Sequence, residues 1–260
     1  MRLDGAATVD QGRMSSGVIH AGIGGWTFEP WRGTFYPADL PKARELEFAA
    51  SRLTSIEVNG TFYSTQSPAT FAKWRKVVPE GFVFALKASR FCTQRKDLSQ
   101  AGESIARFLG QGLVELGDAL GPILWQFPTT RKFDPAQIAA FLSLLPSTQD
   151  GIALRHAIEP RHASFDDPAF FDLARGAGVA VVLADSPKYP SFSEQTASFT
   201  YARLQDAQEE LATGYEPSDL DKWADRARCW ASDGRDTFVF FINGAKIRAP
   251  AAAQAFIARL

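Results

Sequence analysis

An all-parallel (β/α)8 barrel of the TIM-like type, in a single domain, is the fold class this sequence predicts, and three observations carry that prediction. Eight strand-like apolar runs recur along the chain, helical patterns separate them, and 260 residues with 45% hydrophobic content suffice for one large core. Strictly alternating elements imply parallel strands joined by crossovers, and eight such units close most simply into a barrel. An open doubly wound sheet is the competing arrangement. Closure is preferred because a last helical stretch from Pro250 to Leu260 completes the eighth unit.

Residues 1 to 16 are polar and aperiodic and read as a disordered leader, which leaves 17 to 260 as the barrel domain. The strand-like runs cover 18 to 24, 54 to 59, 82 to 87, 121 to 127, 155 to 161, 179 to 185, 198 to 203 and 237 to 243. Three helix starts are legible as a capping side chain before a proline: Ser67-Pro68, Asp134-Pro135 and Asp167-Pro168. Helical spacing puts Ile105, Phe108, Leu109, Leu113 and Leu116 on one face of the third helix. It does the same for Ile138, Phe141, Leu142 and Leu145 in the fourth, and for Leu220, Trp223, Ala224, Ala227 and Trp230 in the seventh. Gly22, Gly24 and Gly25 do not complete a dinucleotide fingerprint, and are expected to let the first loop approach the barrel top.

A formal net charge of −1 gives no global attraction to nucleic acid or anionic lipid, so any recognition of anions must be local. The two cysteines, Cys92 and Cys229, are far apart and match no metal-ligand spacing, which suits a reducing, cytoplasmic setting. No stretch has the roughly 18 apolar residues of a membrane helix. No feature of the sequence sets an oligomeric state.

Polar residues stand at or near almost every strand end: Trp26, Glu57, Asn59, Lys87, Gln126, Glu159, Arg161, Asp185, Arg203 and Asn243. Period-two alternation sets Glu57 and Asn59 opposite Ile56 and Val58, Lys87 opposite Phe84 and Leu86, and Asn243 opposite Phe240 and Ile242. The polar set is thereby expected to face the axis at the C-terminal mouth, where barrels of this class keep their sites. The competing reading has these side chains only satisfy one another across the barrel. For the whole ring that is the weaker reading, because desolvating several charges for structure alone compares poorly with apolar packing.

Seven stretches carry a resemblance to a known family: GIGGWTFEPWRGTFYP with its core at 24 to 37, IEVNGTFYSTQSP (56 to 68), FVFALKASRF (82 to 91), ILWQFP (123 to 128), IEPRHASF (158 to 165), VVLADSP (181 to 187) and YARL (201 to 204). Together they resemble the YecE-like family, domain of unknown function 72, from about residue 18 onward. The resemblance implies a barrel of the same kind and no assigned reaction. The chain departs from the family pattern at Leu204-Gln205-Asp206, where the family tends to have a His-Gly pair after the arginine, and at Ile242, where it often has a first asparagine.

Glu57 and Glu159, from opposite sides of a barrel, are candidates for paired acid and base roles on a sugar-like molecule, with Asp185 as a third catalytic carboxylate. Arg161, Lys87 and Arg203 are candidates to hold a carboxylate or phosphate, and Arg161 to lower the Glu159 pKa, which makes Glu57 the expected acid. Asn59, Gln126, His162 and Asn243 complete the substrate-binding set. Of the aromatics in the first loops (Trp26, Phe28, Trp31, Phe35, Tyr36, Phe62, Tyr63 and Phe91), Trp26 and Tyr63 are expected to touch ligand, the others to pack. His156 is turned off the axis, and His20 is expected to be a satisfied core or rim group.

The reading that follows is a hydrolase or isomerase that needs neither cofactor nor metal and acts on a small anionic or sugar-like molecule. Two alternatives stand beside it. One is a non-catalytic binder of a metabolite, nucleotide or nucleic acid, with nucleic acid the less favoured partner and basic residues at 90 to 96 its motive. The other is a metal-dependent phosphodiesterase holding magnesium or manganese on Glu57, Glu159 and Asp185.

Overall fold

The computed structural model describes residues 16–242 and 244–260, so the proposed leader lies outside the described residues except for Ser16. Its elements run β1 (Ile19–Gly24), α1 (Glu45–Ala50), β2 (Ser55–Val58), α2 (Gly60–Tyr63), α3 (Pro68–Val77), β3 (Val83–Lys87), α4 (Arg90–Thr93) and α5 (Gly102–Leu109). There follow β4 (Leu120–Gln126), α6 (Pro135–Ser143), β5 (Thr148–Gln149), β6 (Ile152–Ala153), β7 (His156–Glu159), α7 (Pro168–Gly176) and β8 (Ala180–Val181). The last are β9 (Leu183–Asp185), β10 (Phe199–Leu204), α8 (Pro217–Ser232), β11 (Asp236–Phe241) and α9 (Ala249–Ile257). No helix among the described residues is long and apolar enough to cross a membrane.

Nine parallel strands form one sheet in the order β8-β7-β4-β3-β2-β1-β11-β10-β9. Its two ends, β8 and β9, are halves of a single strand interrupted at Val182, whose N–H donates to the carbonyl of Ile158 at 2.9 Å. The sheet thus returns to itself in eight strand positions, the barrel that the sequence predicts. The small antiparallel pair β5/β6 was not expected, although its turn is Asp150-Gly151, with φ +48° and +81°, the residue pair that a two-residue hairpin favours.

Local chemistry fixes the helix starts as predicted. Ser67 accepts from the Thr70 N–H, Asp134 from Ala136 and Gln137, and Asp167 from Ala169, each cap contributing about 1 kcal/mol. The predicted third helix is instead two elements. Gly110 and Gly112, the latter at φ +97°, end α5, and a 3-10 stretch follows over Leu113–Ala119; all five predicted apolar residues are nevertheless buried. Leu145 lies beyond the end of α6 and packs on the core from outside it.

Apolar packing divides into two layers. Ile23, Ile56, Phe84, Ile123, Trp125 and Ala202 meet the surrounding helices, whereas Ala85, Leu124, Tyr201, Phe238, Phe240 and Ile242 fill the barrel. This corrects the parity assigned to the last strand, since Phe240 and Ile242 point inward. Gly22 and Gly24 lie within β1 rather than after it. A Cβ at Gly22 would stand 1.7 Å from the Ser55 carbonyl oxygen, so the narrow barrel leaves no room for a side chain there. Gly25, at φ +72°, turns the chain out of the barrel immediately afterwards.

Candidate functional site

Inward alternation brings Glu57 from the end of β2, Glu159 from β7 and Arg203 from β10 together, all fully buried. Arg203 bridges the two carboxylates. Its Nε and Nη2 each donate to Glu57 at 2.9 Å, and its Nη1 donates to Glu159 Oε2 at 2.7 Å. Tyr201 donates its hydroxyl to Glu57 at 2.8 Å, and Asn59 reaches the same carboxylate at 3.3 Å. Glu159 further accepts from Gln126, from Arg161 at 3.3 Å and from Gln205 at 3.4 Å.

Every oxygen of both carboxylates therefore meets several donors, an arrangement suited to ionised groups. Burial alone would raise the Glu159 pKa, but Arg203, Arg161 and the Gln126 bond outweigh it and hold the carboxyl below its ordinary value. Burial likewise works against the charge on Arg203, and Glu159 and Glu57 more than offset it, so this guanidinium holds its proton more tightly than usual. The Tyr201 hydroxyl is pushed well above the ordinary phenol value by burial and then by the Glu57 charge, which keeps it a donor.

This geometry corrects three expectations. Glu57 and Glu159 do not flank an open gap, because one guanidinium occupies the space between them. Glu57 is not a free acid, since each of its oxygens already accepts from Arg203. Arg203, spent on two carboxylates, has no face left for a ligand anion. Gln205, at the departure from the family pattern, supports Glu159 instead of leaving a gap.

Lys87 differs from its neighbours. It ends β3, is only 8% exposed, and has its Nζ 4.2 Å from the centre of the Phe62 ring. Among the described residues no hydrogen bond or ion pair reaches that nitrogen. Burial, then the Arg203 charge, lower its pKa from 10.5 to about 8, with Glu57 and Glu159 opposing and Arg161 reinforcing the shift. Arg161 stands at the rim, bonded to Glu159 on one side and lying 4.1 Å over the ring of Tyr189.

Trp26 and Asp185 lie elsewhere, and His162 is engaged in a cap. Trp26, turned outward after Gly25, packs edge-on against Trp74 and Phe84 on the helix side of the sheet. His162 caps a short 3-10 turn, its Nδ1 accepting from the Ser164 N–H at 3.1 Å. Asn243 lies outside the described residues. Asp185 shares its side of the strand with Leu183 and opens into a separate cavity with Asp206, Tyr215, Asp219 and Trp223. Burial and then the charges of Asp206 and Asp219 raise its pKa. Glu57, Glu159 and Asp185 therefore form no ligand set, and among the described residues no three His, Cys, Asp or Glu side chains are arranged to hold a metal ion.

Tyr63 is 66% exposed and, with the 64% exposed Phe91, lines a cavity of about 310 Å³ beside the mouth, together with Ser64, Thr65, Ser104 and Arg107. Most of the other first-loop aromatics pack, Trp31 and Tyr36 being buried. His156 is turned away from the axis as expected, accepting from the Trp125 indole N–H at 3.1 Å. His20 stacks on Phe238 at the opposite end of the barrel, and its Nδ1 has no hydrogen-bond partner. Sequence reasoning missed Tyr201, Gln205, Phe62 and Tyr189. The first two share the alternation of Arg203 and were legible from it; Phe62 lies on the four-residue α2 and Tyr189 in a loop, neither long enough or regular enough to carry a periodic signal.

A family model described as "Protein of unknown function DUF72" matches residues 20–260. A search of curated proteins found no match. Among solved structures, a DUF72 family protein from Thermotoga maritima MSB8 is 22% identical, with a TM-score of 0.73 over 92% of this chain and 97% of its own. A DUF72 family protein from Enterococcus faecalis V583 is 18% identical, with a TM-score of 0.70 over 93% and 94%. SacUVDE is 9% identical, with a TM-score of 0.58 over 94% of this chain and 100% of its own. At such identities the likeness is one of fold.

Proposed function

The chain belongs to the DUF72 family of β/α barrels, and from that premise we propose that its mouth is the active site of a cofactor-independent enzyme. Its chemistry is acid-base, on a small anionic or sugar-like substrate, with hydrolysis or isomerisation the reaction class. One observation carries this reading: Lys87 is a buried amine at the C-terminal end of a barrel strand, without a hydrogen-bond partner among the described residues, and its pKa of about 8 lets it take and give a proton near neutral pH. Arg161, at the rim, is the group to hold the substrate's anionic end. Glu57 and Glu159 become positioning residues that fix Arg203 and Arg161 around the amine. The free Cys92 and Cys229 suit a cytoplasmic protein.

Thermal unfolding of the purified protein against sugar phosphates, sugar acids and 2-oxo acids tests the reading, since a ligand that binds the native state raises Tm with occupancy. A rise with one of these anions that disappears in Arg161→Ala is the expected result. A rise that survives the substitution, or none with any anion, removes the proposal. The exposed Tyr63 and Phe91 beside their hydroxyl-lined cavity favour a second reading, a non-catalytic binder of a ring-bearing metabolite or nucleotide. Ligand binding that depends on those two rings and not on Arg161 would select it.

A further inference from the structure

Among the described residues, the buried charged groups at the strand ends fall into two kinds. Glu57 and Glu159 share Arg203, and Arg161 turns back onto Glu159, whereas Lys87 Nζ lies over the face of Phe62 and has no hydrogen bond or ion pair among the described residues. The charges it feels come from β2 through Glu57, from β7 and its following loop through Glu159 and Arg161, and from β10 through Arg203. None offers it an acceptor, because both carboxylates are filled by other donors. With no side-chain acceptor among the described residues and only 8% of the residue exposed, an ammonium there keeps fewer hydrogen bonds than it would make in water, while a neutral amine loses less. That is the environment of a nucleophilic lysine.

We infer that Lys87 is the nucleophile of a carbonyl chemistry, its Nζ adding to a small aldehyde or ketone that carries a carboxylate or phosphate, to form a protonated imine with the anionic end held by Arg161. The inference rests on the anion-binding mouth argued above and names its substrate class. Lys87 first gives a proton to water. The neutral nitrogen then bonds to the carbonyl carbon as the C=O π bond breaks, and a proton passes from that nitrogen to the oxygen, which leaves a neutral carbinolamine with a lone pair on nitrogen. The carbinolamine hydroxyl takes back the proton first given to water and leaves as water while the nitrogen lone pair forms the C=N bond. In sum, the lysine ammonium and a carbonyl give an iminium and one water, with charge conserved and nothing oxidised or reduced. Phe62 presents the same ring face to the iminium as to the ammonium. The iminium draws electrons from the neighbouring carbon and so weakens its C–H bond, the step an isomerisation requires.

Reductive trapping tests the inference. The full chain is incubated at pH 7.5 with pyruvate, glyoxylate, dihydroxyacetone phosphate or acetone in the presence of sodium cyanoborohydride, then digested and mapped by mass spectrometry. Lys87 is expected to be alkylated at least about tenfold faster than the exposed Lys76, because at that pH its neutral fraction exceeds an ordinary lysine's by roughly two-hundredfold. The three anionic carbonyls should outpace acetone, and Arg161→Gln should erase that preference. Lys87→Arg, which keeps the charge, should abolish labelling at this position while circular dichroism reports an intact fold. Labelling of Lys87 no faster than of Lys76 overturns the imine. If that happens while anions still raise Tm through Arg161, the covalent step alone falls and the anion-binding mouth stands.

Discussion

Replacing Lys87 by methionine should stabilise the protein at neutral pH and lose that advantage as the pH rises. Methionine keeps the length of the apolar stem and removes the charge. In the unfolded chain Lys87 titrates near 10.5 and in the barrel near 8, so below pH 8 both states are protonated and the folded state bears the full cost of a buried ammonium. At about 1.4 kcal/mol per pH unit, the gap corresponds to about 3 kcal/mol, and the contact with Phe62, worth about 1 kcal/mol, trims it to roughly 2–3 kcal/mol. Between pH 8 and 10.5 the unfolded chain binds the extra proton, so wild-type stability rises with pH while the methionine variant lacks this term. Urea unfolding of both proteins at pH 7, 8, 9 and 10.5 measures it, and the other titrating groups cancel in the difference. A stability difference that stays constant across this range would refute the assignment of an unpaired, desolvated amine.

Two further outcomes follow from the surrounding charges. Arg203→Met strips both buried carboxylates of their shared partner and should lower the unfolding free energy by about 3–5 kcal/mol in urea at pH 7; a loss under 1 kcal/mol would contradict the bridging geometry. Because Glu159 is held below its ordinary value of 4.5, the stability it contributes is complete above that pH and disappears as the pH falls through the lower folded value, so the same variant should show a flatter acid-unfolding profile. Asp185→Asn should raise Tm modestly at pH 7, since burial and the charges of Asp206 and Asp219 disfavour its ionised form in the folded state. It should also leave the anion-induced Tm shift intact, and loss of that shift would place Asp185 back in the mouth.

Alternation made the inward set legible only where polar and apolar residues actually alternate. Ile56-Glu57-Val58 and Phe84-Ala85-Leu86-Lys87 assign their own faces, and the structure follows them. The runs 179–184 and 237–242 are apolar almost throughout, because strands of a parallel barrel are covered on both sides, so parity there cannot be read from hydrophobicity. Asp185 and the pair Phe240 and Ile242 were misplaced for that reason. Trp26 was misplaced by a single turn, since Gly25 at positive φ sends the chain outward one residue after β1 ends. The pairing of Glu57 with Arg203, across 146 positions of sequence, has no local signature at all; it depends on ring closure bringing β2 and β10 within reach of one guanidinium.

That closure also decides which residue is free to act. Two carboxylates and two guanidiniums balance, and each is held by partners on at least two strands or loops, so these four form a rigid, nearly neutral base to the mouth. Lys87 adds the one charge in excess. With its proton on, these five groups are short of one negative charge, which the carboxylate or phosphate of the proposed substrate would supply; with its proton off, they balance and the amine carries a lone pair. The buried network, which contributes little net stability when compared with apolar packing, thereby accounts for itself through what it denies the lysine. By filling the lone pairs of Glu57 and Glu159 with other donors, it leaves the amine without a carboxylate acceptor of its own, the condition that the proposed imine chemistry requires.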